Sequence, residues 1–237
     1  RFSQKAVEVE PIDLKNIAGQ SFSESSLKNH GSFWYAREAP PKYSGTEQEL
    51  WKQYQAHLTA CRQFPDQVGE QFKAIATRIH TVDLRNFKTP WSLHYASHEP
   101  ERQFSALLFD HAELFDAFVK MPDRGAYAFP YSYKPSKTGK THTTNEFFNP
   151  DFFLKLKGIT EIVVVEIKQD GDDAYRNRAK FRDGRRHFEV LNQRLEAAGE
   201  PWRYHFKFLS PTDYTHFFAA INDGRYANWM SSLMQEL

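Results

Sequence analysis

Thr160-Glu-Ile-Val-Val-Val-Glu-Ile-Lys168 decides the fold. Five of its central residues are β-branched and almost nothing in it is polar until Glu166, so it predicts a strand buried on both faces in the middle of a sheet. Glu166 and Lys168 are two residues apart and leave the strand on the same face. They come where the apolar run ends and the strand emerges from the core. Upstream, Phe147 to Lys157 predicts a second strand, in which Phe152, Leu154 and Leu156 alternate with Phe153, Lys155 and Lys157. Gly158 ends it. A hairpin centred on Gly158 and Ile159 sets Asp151 opposite Glu166. Two carboxylates converging beside a lysine suit a hard cation: Mg²⁺ takes one or two carboxylates together with waters and phosphate oxygens.

Further out, Ser97 reads as the cap of a helix with Glu99, Pro100 and Glu101 in its first turn. Its apolar stripe of Phe104, Leu107, Leu108, Phe115 and Phe118 carries it to about Lys120. Tyr127 to Tyr133 predicts a strand, with Pro130 marking an edge. Ser136 to Thr144 is a polar, basic loop. After the turn at Gly171, Asp173 to about Ala198 predicts a long helix weakened at Gly184. Trp202 to Leu209 is another strand, and Ser210-Pro-Thr-Asp213 starts a helix to about Ile221, with a short one near Tyr226. The order is α-β-β-β-α-β-α.

These residues resemble the PD-(D/E)xK nuclease signature, through Asn149-Pro-Asp151 followed by Glu166-Ile-Lys168. More narrowly, Glu101-Arg-Gln-Phe104, Phe118-Val-Lys-Met-Pro122, Asn149-Pro-Asp-Phe152, Val165-Glu-Ile-Lys168 and Lys180 with His187-Phe188 resemble the C-terminal endonuclease domain of Type III restriction subunits, over about residues 97–225. The resemblance implies an α/β, restriction-endonuclease-like αβββαβ core, a central mixed sheet flanked by helices. It implies Asp151 and Glu166 as Mg²⁺ ligands (Mn²⁺ substituting), the Ile167 carbonyl as a third, and Lys168 as the catalytic lysine. Glu101 matches the family's outer acidic residue, with Glu99 its rival. The implied reaction is hydrolysis of a DNA phosphodiester. The implied partners are DNA, a helicase or translocase domain or subunit, and a modification subunit. The competing reading is a catalytically silent DNA-binding or assembly module.

Arg176-Asn-Arg-Ala-Lys-Phe-Arg-Asp-Gly-Arg-Arg-His187 is the other informative stretch. Arg178, Lys180, Arg182, Arg185 and Arg186 on a helix just after the Glu166 strand can grip phosphates by charge and paired hydrogen bonds, against the plainer reading of a solvated face. Lys180 can also point back to the carboxylates, and Gln169 extends their strand. Lys134, Lys137 and Lys140 in the preceding loop are further candidates for backbone phosphates.

The 237 residues hold 40% hydrophobic and 26% charged residues, 16% aromatic, with a net charge of +1. That is a globular composition, with its basic charge concentrated locally. Cys61 is the single cysteine, which excludes an internal disulfide and every multi-cysteine zinc site and points to a reducing, cytoplasmic home. No apolar run nears the ~20 residues of a membrane helix. Beginning at Arg1 without a leader, the chain reads as part of something longer. Residues 1–92 form an expected loop-rich and helical region, an arm to Thr46 and two helices from Thr46 to about His80 broken at Pro65, ahead of a nuclease domain over 93–237. Ser136-Lys-Thr-Gly-Lys-Thr141 is no phosphate loop, because the first glycine of that motif would fall on Lys134. His94 and His98 lack the glutamate of a zincin.

Overall fold

A computed structural model describes residues 33–37, 79–83, 85–89, 93–96, 98–121, 127–134, 143–171 and 175–236. The chain forms two compact units, Arg1–Ala112 and Glu113–Leu237. The division expected at 92–93 thus compares with one at 112–113. The expected helical pair lies outside the described residues as far as Ile79.

In the first unit, β1 (Phe33–Arg37) runs between β2 (Ile79–Val82), to which it is parallel, and β3 (Leu93–Ala96), to which it is antiparallel. The arm expected to be loop-rich therefore contains a strand. The helix expected to reach Ile79 gives way there to β2, where Ile79, Thr81 and Val82 are β-branched. Helix α1 (Glu99–Asp110) starts at His98, one residue after the expected cap, with Pro100 in its first turn. It buries Glu101, Phe104, Ser105, Leu108 and Phe109 on one stripe. His94 on β3 is buried, its Nε2 2.8 Å from the Ser105 hydroxyl.

The second unit is built on a four-stranded mixed sheet in the order β4-β7-β8-β9. Its strands are β4 (Phe115–Lys120), β7 (Phe152–Leu156), β8 (Glu161–Ile167) and β9 (Arg203–Leu209). The first three pair antiparallel and β9 joins β8 in parallel. β8 is an inner strand, as its composition predicts, and Ile162 to Ile167 are all buried. Two expectations change here. The helix expected to run to Lys120 ends at Asp110, and Phe115–Lys120 is a strand. A register shift between Phe115 and Ala117 lets Phe115 and Phe118 both turn inward, which imitates helical spacing. The single strand expected over Phe147–Lys157 is two. Asn149-Pro150 separates β7 from β6 (Thr144–Phe148), because proline has no N–H to give a ladder. β6 pairs instead with β5 (Phe129–Tyr133) in a separate two-stranded ribbon.

Helix α2 (Tyr175–Ala197) covers β9 and the β5 ribbon. Gly184 belongs to that packing: a Cβ there would lie 2.4 Å from the Phe206 ring. Phe181, Phe188, Phe206, Phe208 and Phe148 make the aromatic core between helix and sheet. Beyond β9, the helix start expected at Ser210 is present, and Ser210 and Asp213 form a capping box there ahead of α3 (Tyr214–Asn222). The expected short helix near Tyr226 is a turn, and α4 (Ser232–Glu236) follows later. Among the described residues no helix is long and apolar enough to cross a membrane.

Candidate metal centre

The β7–β8 ladder sets Phe152 opposite Val165 and Lys155 opposite Ile162. This is the register that brings Asp151 level with Glu166. Asp151 sits just before β7 and is held from two sides. Its backbone carbonyl accepts the Met121 N–H at 2.7 Å. Its Oδ2 accepts the Ile167 N–H at 2.7 Å, standing in for the strand acceptor that the Pro150 break removes. Oδ1 has no bond among the described residues.

Glu166 is 2% exposed, on the face of β8 that α2 covers. Its Oε1 accepts Lys168 Nζ at 2.5 Å and, more distantly, Lys180 Nζ at 3.4 Å. Its Oε2 is buried with no hydrogen-bond partner. Burial first, and the Asp151 charge second, push the Glu166 carboxyl up to about 7, against the opposing pull of the two lysines. Lys168 Nζ also donates to the Ile167 carbonyl at 3.1 Å. Lys180 reaches in from the first turns of α2, with its ammonium 4.9 Å from the centre of the Phe148 ring. Burial is the main reason its pKa is lowered. Asp151, Glu166, Ile167, Lys168 and Lys180 thus form one cluster. Phe148, under Lys180, belongs to it too, and nothing in the sequence distinguishes that phenylalanine from its neighbours.

Glu101 is buried on α1 in the first unit, and Glu99 is exposed and holds Arg102 and Gln103. Gln169 is exposed. Lys137 and Lys140 lie outside the described residues, and Lys134 is exposed. Several arginines of the basic stretch are spent on the fold. Arg176 binds the Tyr131 hydroxyl at 2.7 Å and pairs with Glu146. Arg182 donates to the Ser132 carbonyl at 2.8 Å and to Asp183, whose Oδ2 accepts the Ser132 N–H at 2.9 Å. These bonds clamp the β5 ribbon to α2. Arg178 and Arg186 are exposed, and Arg185 borders the far edge of β9.

Two carboxylate oxygens and one backbone carbonyl, all hard donors, are what a Mg²⁺ ion accepts alongside waters. The orphaned Glu166 Oε2 and the unengaged Asp151 Oδ1 fit such an ion. Among the described residues no three His, Cys, Asp or Glu side chains stand together, so the ion would rest on two carboxylates and the carbonyl. Compared with protein-family models, with curated proteins and with solved structures, the chain matches none.

Proposed function

We propose that the second unit is a Mg²⁺-dependent nuclease of the PD-(D/E)xK kind that hydrolyses a DNA phosphodiester. The buried Glu166 carboxyl, one oxygen orphaned and the other held by Lys168, beside Asp151, is the observation that carries this reading. Asp151, Glu166 and the Ile167 carbonyl would hold the ion. A bound Mg²⁺ lowers the pKa of a water and neutralises charge on the phosphate. The chain's own residues supply the rest. The Ile167 N–H fixes the Asp151 carboxylate in one orientation before any ligand arrives. Lys168 keeps an ammonium at the mouth of the carboxylate pair, where it can orient the attacking water and meet negative charge growing on the phosphate. Lys180 adds a second positive charge from α2, which gives it a role at the centre itself in addition to any contact with the DNA backbone. The association with a helicase or translocase belongs to the same proposal and rests on the resemblance; a cytoplasmic setting belongs to it too and rests on the single cysteine.

The test is calorimetric titration of Mg²⁺ and Mn²⁺ into the parent and Asp151→Ala, with cleavage assays of parent, Asp151→Ala and Lys168→Ala. We expect metal binding in the parent and its loss in Asp151→Ala, and loss of metal-dependent cleavage in both variants with the fold intact. Absence of metal binding in the parent up to millimolar concentrations, with a short duplex present, would overturn the reading and favour a non-catalytic binding module.

A further inference from the structure

β9 is the last strand of its sheet, so one edge faces away from β8. Arg203 N–H donates to the Thr160 carbonyl and the Leu209 carbonyl accepts from Lys168 N–H, so the odd-numbered residues of β9 pair with β8. Alternation turns the N–H and C=O groups of Tyr204, Phe206 and Phe208 outward. Tyr204 is covered: the Asn192 carboxamide bonds its N–H and its C=O, both at 2.8 Å. At the other end, the Phe208 carbonyl accepts the Ser231 hydroxyl at 2.5 Å. Between them, Phe206 keeps its outward donor and acceptor unengaged among the described residues.

A cavity of about 360 Å³ opens at this place. Arg185 and Phe188 of α2 bound it on one side, Trp229 and Met230 on the other. Lys207 lies in its wall and is 4% exposed. Its Nζ donates to the carbonyls of Ala227 at 3.1 Å and Trp229 at 2.6 Å. Both acceptors are neutral, and among the described residues no carboxylate pairs with this ammonium. Burial and the nearby Arg185 lower its pKa to about 8. Glu189 also lines the cavity and pairs with Arg185 at 3.6 Å, so a phosphate would share that guanidinium; the buried Lys207 ammonium, satisfied only by neutral groups, is the cation that favours an anion here.

We infer that this cavity binds a nucleoside monophosphate, whose base meets the open Phe206 amide through an adjacent donor and acceptor and whose phosphate meets Arg185 and Lys207. Asn192 already displays the first half of this recognition, since its carboxamide satisfies Tyr204 with the same donor–acceptor pair that a nucleobase edge carries. The caps at Tyr204 and Phe208 leave an opening one residue wide, which excludes an added β-strand and selects a compact ligand. The volume is that of a small-molecule site. Trp229 and the half-exposed Met230 offer apolar surface to the base. The site uses neither Asp151 nor Glu166, so it stands apart from the nuclease reading.

Adenosine, cytidine, guanosine and uridine 5′-monophosphates, inorganic phosphate and a free nucleoside are titrated into the full chain. We expect at least one monophosphate to bind, with phosphate alone and nucleoside alone roughly tenfold weaker or worse. The Arg185 side chain is 55% exposed, so Arg185→Gln leaves the fold and its melting temperature unchanged while weakening the monophosphate roughly tenfold. Asp151→Ala should bind the monophosphate as the parent does, whatever it does to metal binding. A 5′-phosphorylated single strand distinguishes the source of the ligand: tighter binding than the mononucleotide assigns the site to a strand end, weaker binding to a free nucleotide. No binding of any monophosphate at millimolar concentration, parent-like affinity in Arg185→Gln, or inorganic phosphate binding as well as the nucleotide would each overturn the proposal. So would loss of nucleotide binding in Asp151→Ala, which would move the ligand to the carboxylate pair.

Discussion

Glu166 concentrates the unit's electrostatics in one side chain. Its carboxyl ordinarily titrates at 4.5, and in the fold it titrates at about 7. Between those values the unfolded chain has lost the proton and the native chain keeps it. Unfolding then releases a proton, and stability falls as pH rises from 4.5 to 7. In the metal-free protein we expect this group to remove about 3 kcal/mol of stability across that range, and Glu166→Gln to flatten the slope; urea melts at pH 5 and pH 8 measure both. Mg²⁺ should reverse the sign, because the ion requires the ionised carboxylate. The pairing of Asp151 with Glu166 was legible from the sequence only by assuming a turn centred on Gly158 and Ile159; a slip of two residues would bury the same faces, and the β7–β8 ladder supplies the register that was assumed. The orphaned Oε2 was not legible, because it depends on what α2 places over it.

Elements were legible where composition and packing agreed, as in β8 and β9. They were misread where a local irregularity broke the period. The bulge in β4 gave two buried phenylalanines the spacing of a helix, and the Asn149-Pro150 break divided what alternation presented as one strand. Gly184 shows the same conflict between local and tertiary preference. Alanine is the better helix former by about 1 kcal/mol, yet its Cβ would collide with a Phe206 ring packed against Phe148, Phe181 and Phe188. We therefore expect Gly184→Ala to destabilise the protein by about 1–3 kcal/mol, read as a lower denaturation midpoint at unchanged slope. A midpoint raised above the parent's would mean that the ring moves aside freely. The arginines of α2 carry a related lesson: their spacing announced a basic face, while Arg176 and Arg182 are committed to the β5 ribbon through partners far away in sequence.

For the whole molecule, every residue of the proposed metal centre comes from Glu113–Leu237, which has its own sheet and core. A fragment of residues 113–237 should therefore bind Mg²⁺ about as tightly as the full chain, by the same titration. Loss of binding in a folded fragment would mean that the centre needs residues outside 113–237. The separate sheet of the first unit was the least legible part of the chain. Its three strands are only four or five residues long, and β1 and β2 come from segments far apart in sequence, so no single window carries its pattern. The anchoring of Lys207 also sets an order of events during synthesis. Its ammonium is satisfied by carbonyls 20 and 22 residues further along the chain. β9 thus leaves the ribosome carrying a charge that its final position cannot yet accept. We expect β9 to settle in the sheet only after Trp229 has followed, so that a ribosome pausing between the two would hold the nascent unit open at that edge.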